Sequence, residues 1–338
     1  MQIIPFSNTE EKKWNSFCLQ SNDAWFWHTS DWINFIFKYQ LDSEAKNFSF
    51  SIQKNGKILA VIPLILEIKK SENDLINGFY FSSWATPMPA LSNNILSSDK
   101  EKIYQIILEE IEKLSRENNV SVSRFVLSSL SLSFLNKKYS TADKMFSFFS
   151  YNNVNASSQI IDLSKSLNEL KRNLRHGHRA DITRGEKILT TSVFDSSNIT
   201  SEIFNQYTLL YKKRFGVSNR PSSTFDIMFK LIKDSKNFIV FAFLDKIPVG
   251  VSYFYTFKDN AFYGSACNDP NINNIPTSHV IQWSAIKYMK NKKMKFYEIG
   301  HQPYWSPTDK QLNISHFKKG FGGLIVPMFM KEKKYNYE

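Results

Sequence analysis

The chain contains little cysteine, no long apolar run and no basic-then-apolar leader. Its 338 residues include only Cys18 and Cys267, too few for a disulfide framework or a cysteine-rich metal site, so we expect reduced packing residues. No apolar stretch reaches the roughly 18 residues that cross a bilayer, and the first residues lack the order of a signal peptide. We therefore expect a cytoplasmic protein.

Several catalytic signatures are also missing. The sequence has no G-x-S-x-G nucleophile elbow, no Walker loop and no H-E-x-x-H pair. Gly320, Gly322 and Gly323 have the wrong spacing for a dinucleotide fingerprint, and no helical pattern follows them. His176 and His178 have no third ligand nearby in sequence, so we expect no metal site.

Acidic residues are outnumbered. Lys plus Arg total 43 against 31 Asp plus Glu, which gives a net charge of +12. Such a surplus favours polyanionic partners such as tRNA, nucleotide diphosphates or an acidic membrane face. Solubility alone, or a general bias toward lysine and asparagine, is an equally good explanation. Charge therefore suggests a class of partner without identifying one.

The chain offers material for two cores, with 42% hydrophobic and 15% aromatic residues. In the first half, Asn55-Gly56 predicts a hairpin, and 121–130 reads as a further strand. Between them, 102–116 has helical periodicity and Ser98-x-x-Glu101 resembles a capping box.

A similar order returns in the second half. A hairpin around Asp245-Lys246 is followed by a strand at 259–267 and by a helix at 277–290, capped by Thr277 or Ser278. A strand at 294–300 closes the unit. The two hairpin turns are about 190 residues apart, which suggests an internal duplication. We predict an α/β (α+β) protein of two domains, 1–157 and 158–338, each a mixed, mostly antiparallel sheet flanked by helices.

The segment 164–189 begins the second domain and is strongly basic. Leucines and Ile182 keep a helical rhythm that we expect to break at Gly177. Arginine forks bind phosphate oxygens in two-point geometry, so this segment is a candidate phosphate or tRNA contact. A solvated helix face is the alternative. The candidate residues are Lys171, Arg172, Arg175, Arg179 and Arg184.

Near the C-terminus the chain reads I-S-H-F-K-K-G-F-G-G, residues 314–323. Together with L-R-H-G-H-R-A-D-I-T-R-G-E-K and with F-Y-G-S-A-C-N followed by S-H-V-I-Q-W-S-A-I, this stretch resembles the FemABX family of non-ribosomal peptidyltransferases. The similarity is best from about Ser158 to Gly323.

The resemblance implies two tandem domains of the GCN5-related acyltransferase (GNAT) fold, in an armless form with two ordinary helices between Ser201 and Asn237. It also implies transfer of an aminoacyl group from aminoacyl-tRNA, as co-substrate rather than cofactor, to an amine on a nucleotide-linked or lipid-linked sugar or peptide. The glycine loop that holds coenzyme A in the wider superfamily is replaced here by N-D-P-N-I-N-N-I-P-T-S-H-V. Ordinary coenzyme A binding is therefore not expected.

The resemblance assigns catalysis to Lys318, which follows Phe317. A cation fixed beside an acyl carbonyl stabilises the oxyanion that forms during amine attack, and Phe317 and Phe321 would exclude water. Alternatively, Lys318 and Lys319 are exposed residues of a turn in which Gly320 ends a helix.

Further residues are candidates for substrate binding. Arg220 resembles a family arginine that contacts acceptor phosphate, and Arg214 competes for that role. Trp32, in the opening helix, and two C-terminal aromatics could stack on sugars or bases, although core packing is the commoner role. Two more residues occupy a loop after a strand, a normal place for proton-handling groups. The two aromatics are Tyr304 and Trp305, and the two loop residues are His301 and Asp309.

The sequence thus predicts a cell-wall or surface-glycan acyltransferase whose acceptor is a phosphate-bearing amine. A second reading keeps the fold but uses an acyl-coenzyme A donor acting on an amino sugar nucleotide. A third is a non-catalytic, basic protein that binds tRNA or a membrane surface. Contact with the inner membrane surface is compatible with all three, and no obligate protein partner is indicated.

Overall fold

The computed structural model describes residues 1–39, 43–70, 75–80, 85–216, 220–234, 237–272, 274–302 and 308–337. The chain divides into two compact units. Unit 1 comprises Met1–Ala156 together with Met328–Glu338, and unit 2 comprises Ser157–Pro327. Among the described residues, no helix combines the length and apolarity needed to cross a membrane.

The first 156 residues alternate short strands with helices, and two 3-10 turns lie at Asn8–Glu10 and Phe26–His28. The helices are α1 (Glu11–Gln20), α2 (Ser30–Lys38), α3 (Ser97–Glu117), α4 (Leu132–Leu135) and α5 (Ser140–Phe148). The strands are β1 (Gln2–Pro5), β2 (Ser43–Asn47), β3 (Phe50–Lys54), β4 (Lys57–Ile62), β5 (Ile65–Lys70), β6 (Leu75–Phe79), β7 (Thr86–Pro87), β8 (Ala90–Leu91), β9 (Val122–Leu127) and β10 (Asn152–Asn153).

Unit 2 and the C-terminal segment follow. The helices are α6 (Leu167–Asn173), α7 (His176–Gly185), α8 (Ser201–Phe215), α9 (Ser222–Lys233), α10 (Thr277–Asn291) and α11 (Asp309–Lys319). The strands are β11 (Ser157–Asp162), β12 (Thr190–Phe194), β13 (Asn237–Leu244), β14 (Ile247–Phe257), β15 (Asn260–Asn268), β16 (Phe296–Gln302), β17 (Leu324–Pro327) and β18 (Phe329–Lys334).

The described part of unit 1 contains two sheets. One is four-stranded in the order β1-β3-β4-β8, and the other is seven-stranded in the order β10-β18-β9-β6-β5-β2, with β7 beside β9. The predicted hairpin is confirmed: β3 and β4 pair across Asn55 (φ 50°) and Gly56 (φ 71°), the left-handed pair that a tight hairpin needs. Ile103, Ile107 and Ile111 of α3 pack into the core of this unit.

The described strands of unit 2 form one seven-stranded sheet in the order β12-β13-β14-β15-β16-β11-β17. Neighbouring strands within this sheet run antiparallel, except β15 and β16, which run parallel. The β13–β14 hairpin turns at Asp245 and Lys246, as predicted. One core contains Val280, Ile281 and Ile286 of α10, Ile182 of α7, and Phe321.

The structure corrects several local predictions. Ser98 lies inside α3, which begins at Ser97 with Leu96 as N-cap, so the proposed capping box does not form. Pro276, not Thr277 or Ser278, is the N-cap of α10. The basic segment breaks at Leu174 and Arg175, between α6 and α7, so Gly177 lies within a helix.

The predicted domain division also differs from the structure at the C-terminus. Strand β18 pairs with β9 over Phe329–Lys334, which places residues 328–338 in unit 1 instead of the second domain. The physical reason is the open edge of β9, whose backbone groups need a hydrogen-bonding partner that the earlier strands leave unfilled on that side.

Candidate functional site

Helix α11 carries the Lys318 side chain. Its start is fixed by a capping box in which Thr308 accepts from the Gln311 N–H and the Gln311 side chain accepts from the Thr308 N–H. The helix ends at Lys319, and Gly320 keeps a right-handed conformation. Lys318 therefore lies in the last helical turn, where the negative end of the helix dipole favours positive charge.

The Lys318 amine points inward. Its Nζ donates a hydrogen bond to the His301 carbonyl oxygen at 3.0 Å. It lies over Gly300, whose φ of +108° favours glycine, and a Cβ at Gly300 would come within 3.0 Å of Nζ. Burial lowers the pKa of Lys318 to about 8, opposed by the negative charge of Glu298. The alternative of an exposed turn is wrong for Lys318, while Lys319 is exposed.

Glu298 is the functional candidate that sequence reasoning missed. Its side chain is 2% exposed and accepts a hydrogen bond from Ser158 Oγ at 2.5 Å. Burial raises the pKa of Glu298 to about 7, although the Ser158 hydrogen bond and Lys318 both lower it. A carboxylate within the apolar strand pattern K-F-Y-E-I-G was the available signal, because buried charges need a partner.

His301 is the predicted residue that the structure brings to Lys318. Its backbone carbonyl accepts from the Lys318 amine, and its ring centroid lies 6.3 Å from that of Phe262 on β15. Burial, assisted by the positive charge of Lys318, lowers the pKa of His301 to about 3. The imidazole is therefore neutral near pH 7.

These groups lie where two parallel strands separate. Strands β15 and β16 pair only from Asn260 opposite Phe296 to Phe262 opposite Glu298, and β16 continues to Gln302 in pairing with β11 instead. Parallel neighbours that stop pairing leave a gap between their carboxyl-terminal halves, a normal position for a ligand in sheets with parallel strands.

The glycines after α11 allow close packing. A side chain at Gly320 would overlap the His178 ring, and one at Gly323 would overlap the Ile160 carbonyl. Phe317 and Phe321 are in edge contact, with centroids 5.1 Å apart, and Phe321 is 2% exposed. Phe317 thus forms part of the packing beside Lys318.

Arg220 forms a second polar cluster in unit 2. Its guanidinium donates to the Tyr207 hydroxyl at 3.1 Å and stacks on Tyr211, 4.5 Å from the ring centroid. Tyr207 also contacts Ser265 Oγ on β15 at 2.8 Å. Arg214 is exposed near the end of α8. Arg220 is therefore linked to β15 through Tyr207, whereas Arg214 is exposed.

The basic residues of α6 and α7 divide into two groups. Arg175 and Arg179 are hydrogen-bonded to backbone carbonyls, Arg175 to His316 and Arg179 to Arg172 and Leu174. Lys171 and Arg172 are exposed and line an open groove with Asn168 and Arg179. A second groove lies along His176, Arg179, Thr183, Arg184 and Lys187.

The remaining predicted residues lie elsewhere. Trp32, in unit 1, is 8% exposed and packs against Trp27 and Phe35, with centroids 4.3 and 5.2 Å away. Asp309 is the exposed first residue of α11. Tyr304 and Trp305 lie outside the described residues.

Within the described ranges, no group of His, Cys, Asp and Glu is arranged to hold a metal ion. In the loop between β15 and α10, the Asp269 carboxylate accepts from Lys213 at 2.7 Å and from the Asn271 N–H at 3.0 Å. A carboxylate in this loop, with Pro276 directly before the helix, is a poor cradle for a pyrophosphate.

Comparison with known proteins supports this architecture. No protein-family model and no curated protein sequence matches the chain. Among solved structures, FemX is similar with a TM-score of 0.68 at 12% identity, covering 99% of this chain and 98% of that one. A tandem GNAT protein from the clavulanic acid biosynthesis pathway has a TM-score of 0.55 at 7% identity, covering 100% and 99%.

The chain has the tandem GNAT fold.

A further structure with this fold is L-PGS from Bacillus licheniformis, with a TM-score of 0.60 at 11% identity over 99% of this chain and 94% of that one. The likeness to FemX confirms, at the level of the fold, the resemblance stated from the sequence motifs. The helices α8 and α9 lie in the interval in which we predicted two ordinary helices.

Proposed function

We propose that this protein is an acyltransferase that forms an amide on a phosphate-bearing amine, with Lys318 stabilising the acyl oxygen. The observation that carries the proposal is the inward-pointing Lys318 amine over Gly300, beside the point where β15 and β16 stop pairing. A cation held in a partly desolvated position interacts more strongly with a developing oxyanion than it would in water.

The reaction would proceed in two steps, addition of the amine and collapse of the intermediate. The acceptor amine nitrogen attacks the donor carbonyl carbon, the carbonyl π electrons move to oxygen, and the amine loses a proton. We assign this proton to Glu298, a carboxylate on β16 two residues before the Gly300 that contacts Lys318, and burial raises its pKa to about 7. Collapse of the intermediate breaks the C–O ester bond, and the proton returns to the leaving hydroxyl oxygen.

The proposed donor is aminoacyl-tRNA. Three features favour it over acyl-coenzyme A: the basic α6–α7 surface, the carboxylate at Asp269, and Pro276 in place of a glycine-rich loop. The proposed acceptor is an amine on a nucleotide-linked or lipid-linked sugar or peptide of the cell envelope, with Arg220 contacting its phosphate. A lipid-linked acceptor would bring the protein to the inner membrane surface.

The test is reconstitution with both donor classes. Purified protein is incubated with aminoacyl-tRNA or with acetyl-coenzyme A, and with a panel of amino-sugar nucleotides and lipid-linked amines, and products are identified by mass spectrometry. We expect an amide product with aminoacyl-tRNA only. Precursors extracted from cells with and without the gene, compared for a new amide-linked mass, identify the natural acceptor.

Lys318→Met tests the catalytic assignment. We expect a loss of about 100-fold to 1000-fold in kcat, because the loss of one oxyanion-stabilising group has an effect of this size. Lys319→Met is the matched control, since Lys319 is the exposed neighbour of the same residue type. Equal activity in both variants would contradict the proposal, as would product formation with acetyl-coenzyme A alone.

A further inference from the structure

The last turn of α11 is held by side chains from outside the helix. Three consecutive carbonyl groups in this turn accept backbone N–H groups of Gly320 or Phe321, and each also accepts a hydrogen bond from a side chain elsewhere in unit 2. The His316 oxygen accepts from Arg175 at 3.2 Å, the Phe317 oxygen from His178 at 2.8 Å, and the Lys318 oxygen from Gln159 at 3.1 Å. Lys318 thus lies in a turn whose backbone is fixed from outside.

His178 of α7 is more buried than Arg175, the N-cap residue of the same helix. It is 2% exposed, and its ring occupies the space that a side chain at Gly320 would need. The ring also packs against Phe321, with centroids 4.8 Å apart, and against His279, at 4.5 Å. Movement of this ring would therefore disturb the residues that directly follow Lys318.

The hydrogen bonds of His178 select one tautomer. Arg175 Nη2 lies 3.2 Å from His178 Nδ1, and a guanidinium can only donate. Nδ1 is therefore the acceptor, and Nε2–H donates to the Phe317 carbonyl. Burial lowers the pKa of His178, with Arg175 acting in the same direction, so the ring is neutral near pH 7. Both ring nitrogens are used.

We propose that His178 is a positioning residue that holds the Phe317 carbonyl and thereby keeps the half-buried Lys318 amine over Gly300. This inference deepens the proposed function, on which the significance of Lys318 rests. It gives the L-R-H-G-H-R motif a task at the site besides phosphate contact. Arg175, which the sequence suggested for phosphate, orients the imidazole through Nδ1.

The experiment measures the Lys318 amine without substrate. The full-length protein is treated with isotopically labelled acetic anhydride across a pH series, and acetylation of each lysine is followed by mass spectrometry. In the native protein we expect half-maximal reactivity of Lys318 near pH 8. Burial lowers the pKa of Lys318 to about 8, and the negative charge of Glu298 opposes this shift. Neutral His301 contributes no charge there. Lys295, which is paired with Asp259 at 2.8 Å on the surface, is the internal reference.

Four variants separate hydrogen bonding from packing. In His178→Ala the apparent pKa of Lys318 should rise by about one unit or more, because the freed amine becomes solvated. His178→Gln keeps a donor and an acceptor and should restore most of the native value. Gly320→Ala displaces the ring and should resemble His178→Ala. The double variant His178→Ala/Gly320→Ala fills the space without the hydrogen bond, and its pKa should remain raised.

Two outcomes would overturn the inference. One is an unchanged Lys318 pKa in folded His178→Ala protein, with folding verified by circular dichroism. The other is a native pKa in the double variant, which would assign the effect to packing alone. If His178→Ala does not fold, Gly320→Ala and His178→Gln decide between the same outcomes. Since no donor or acceptor is present, a failure here is distinct from a failure to find transferase activity.

Discussion

At the scale of single residues, three titratable groups of unit 2 have pKa values moved toward their neutral forms. Burial lowers the pKa of Lys318 to about 8 and that of His301 to about 3, and raises that of Glu298 to about 7. Lys318 and Glu298 limit each other's shift, because each charge stabilises the other. Near pH 7 the site therefore holds a cationic lysine beside a carboxyl group that is close to half ionised.

The pH dependence of activity should be bell-shaped. The proposed mechanism needs Glu298 deprotonated and Lys318 protonated, so the rate should rise through about pH 7 and fall through about pH 8. The limbs of kcat/KM report the free enzyme, and a series from pH 5.5 to 9.5 measures them, with pH-jump controls for stability.

Glu298→Gln should change that profile in a specific way. The acidic limb should disappear, and the rate at its optimum should fall by about 100-fold, as expected for a lost general base. The alkaline limb should move to lower pH, because the carboxylate no longer raises the pKa of Lys318. An intact acidic limb in this variant would exclude Glu298 as the proton acceptor.

Gly300→Ala should displace the lysine and strain the backbone. Its φ of +108° is a left-handed value, and the added Cβ would lie 3.0 Å from Lys318 Nζ. We expect a loss of about 1–3 kcal/mol in the free energy of unfolding, measured by urea denaturation, together with reduced kcat. Gly177→Ala is the control, since it lies in α7 with open space around its Cβ, and it should be neutral or stabilising.

At the scale of elements, the basic helices contain arginines with different tasks. The sequence alone does not show which arginines bind backbone carbonyls and which are available to a ligand. Arg179 donates to the Arg172 and Leu174 carbonyls and so ends α6. Arg172 belongs to the same basic segment, 164–189, and is exposed at the groove. One arginine thus stabilises a helix end, and the other is available for an anion.

Paired substitutions should separate these tasks. Arg172→Ala should leave unfolding unchanged within about 0.5 kcal/mol and lower the slope of log K against log salt for tRNA binding by about one. Arg179→Ala should lower the salt slope similarly. It should in addition lower the free energy of unfolding by about 1 kcal/mol, because it removes hydrogen bonds to two backbone carbonyls. If Arg172→Ala binds tRNA with an unaltered salt slope, the phosphate assignment of this groove is wrong.

Elements with strong local signals were predictable, and contacts between distant segments were not. Asn55-Gly56 and Asp245-Lys246 specify hairpins because their left-handed conformations are local properties. The task of His178 depends on a carbonyl 139 positions further along the chain, which no periodicity reveals. Glu298 was visible as a carboxylate in an apolar strand, but its Ser158 partner lies 140 positions away. Lys318 was predicted through family resemblance, and its burial came only from the structure.

At the scale of the molecule, the two units have separate cores, and they differ in whether one continuous segment of the chain forms them. Unit 2 is one uninterrupted segment, whereas unit 1 needs Met328–Glu338 to supply β18 between β10 and β9. Arg124 on β9 forms an ion pair with Glu332 on β18, and the Tyr335 hydroxyl lies 3.0 Å from Ser123 Oγ. The segment therefore contributes both a strand and side-chain contacts to unit 1.

Fragments should reflect this difference. We expect residues 157–327 to fold alone, with a cooperative thermal transition and native-like circular dichroism. Residues 1–156 should not, because a sheet strand and its contacts are missing, but a fusion of 1–156 to 328–338 through a flexible linker should recover a cooperative transition. A cooperative fold of 1–156 by itself would show that β18 is dispensable.

The late position of β18 has a consequence for biosynthesis. The ribosome must translate all of unit 2 before the strand that pairs with β9 emerges, an interval on the order of ten seconds or more at ordinary elongation rates. Throughout that time the nascent N-terminal sheet presents an unfilled edge, which is a template for intermolecular pairing. Expression yield should therefore depend on chaperones that engage nascent chains, even though the completed protein has no such vulnerability at β9.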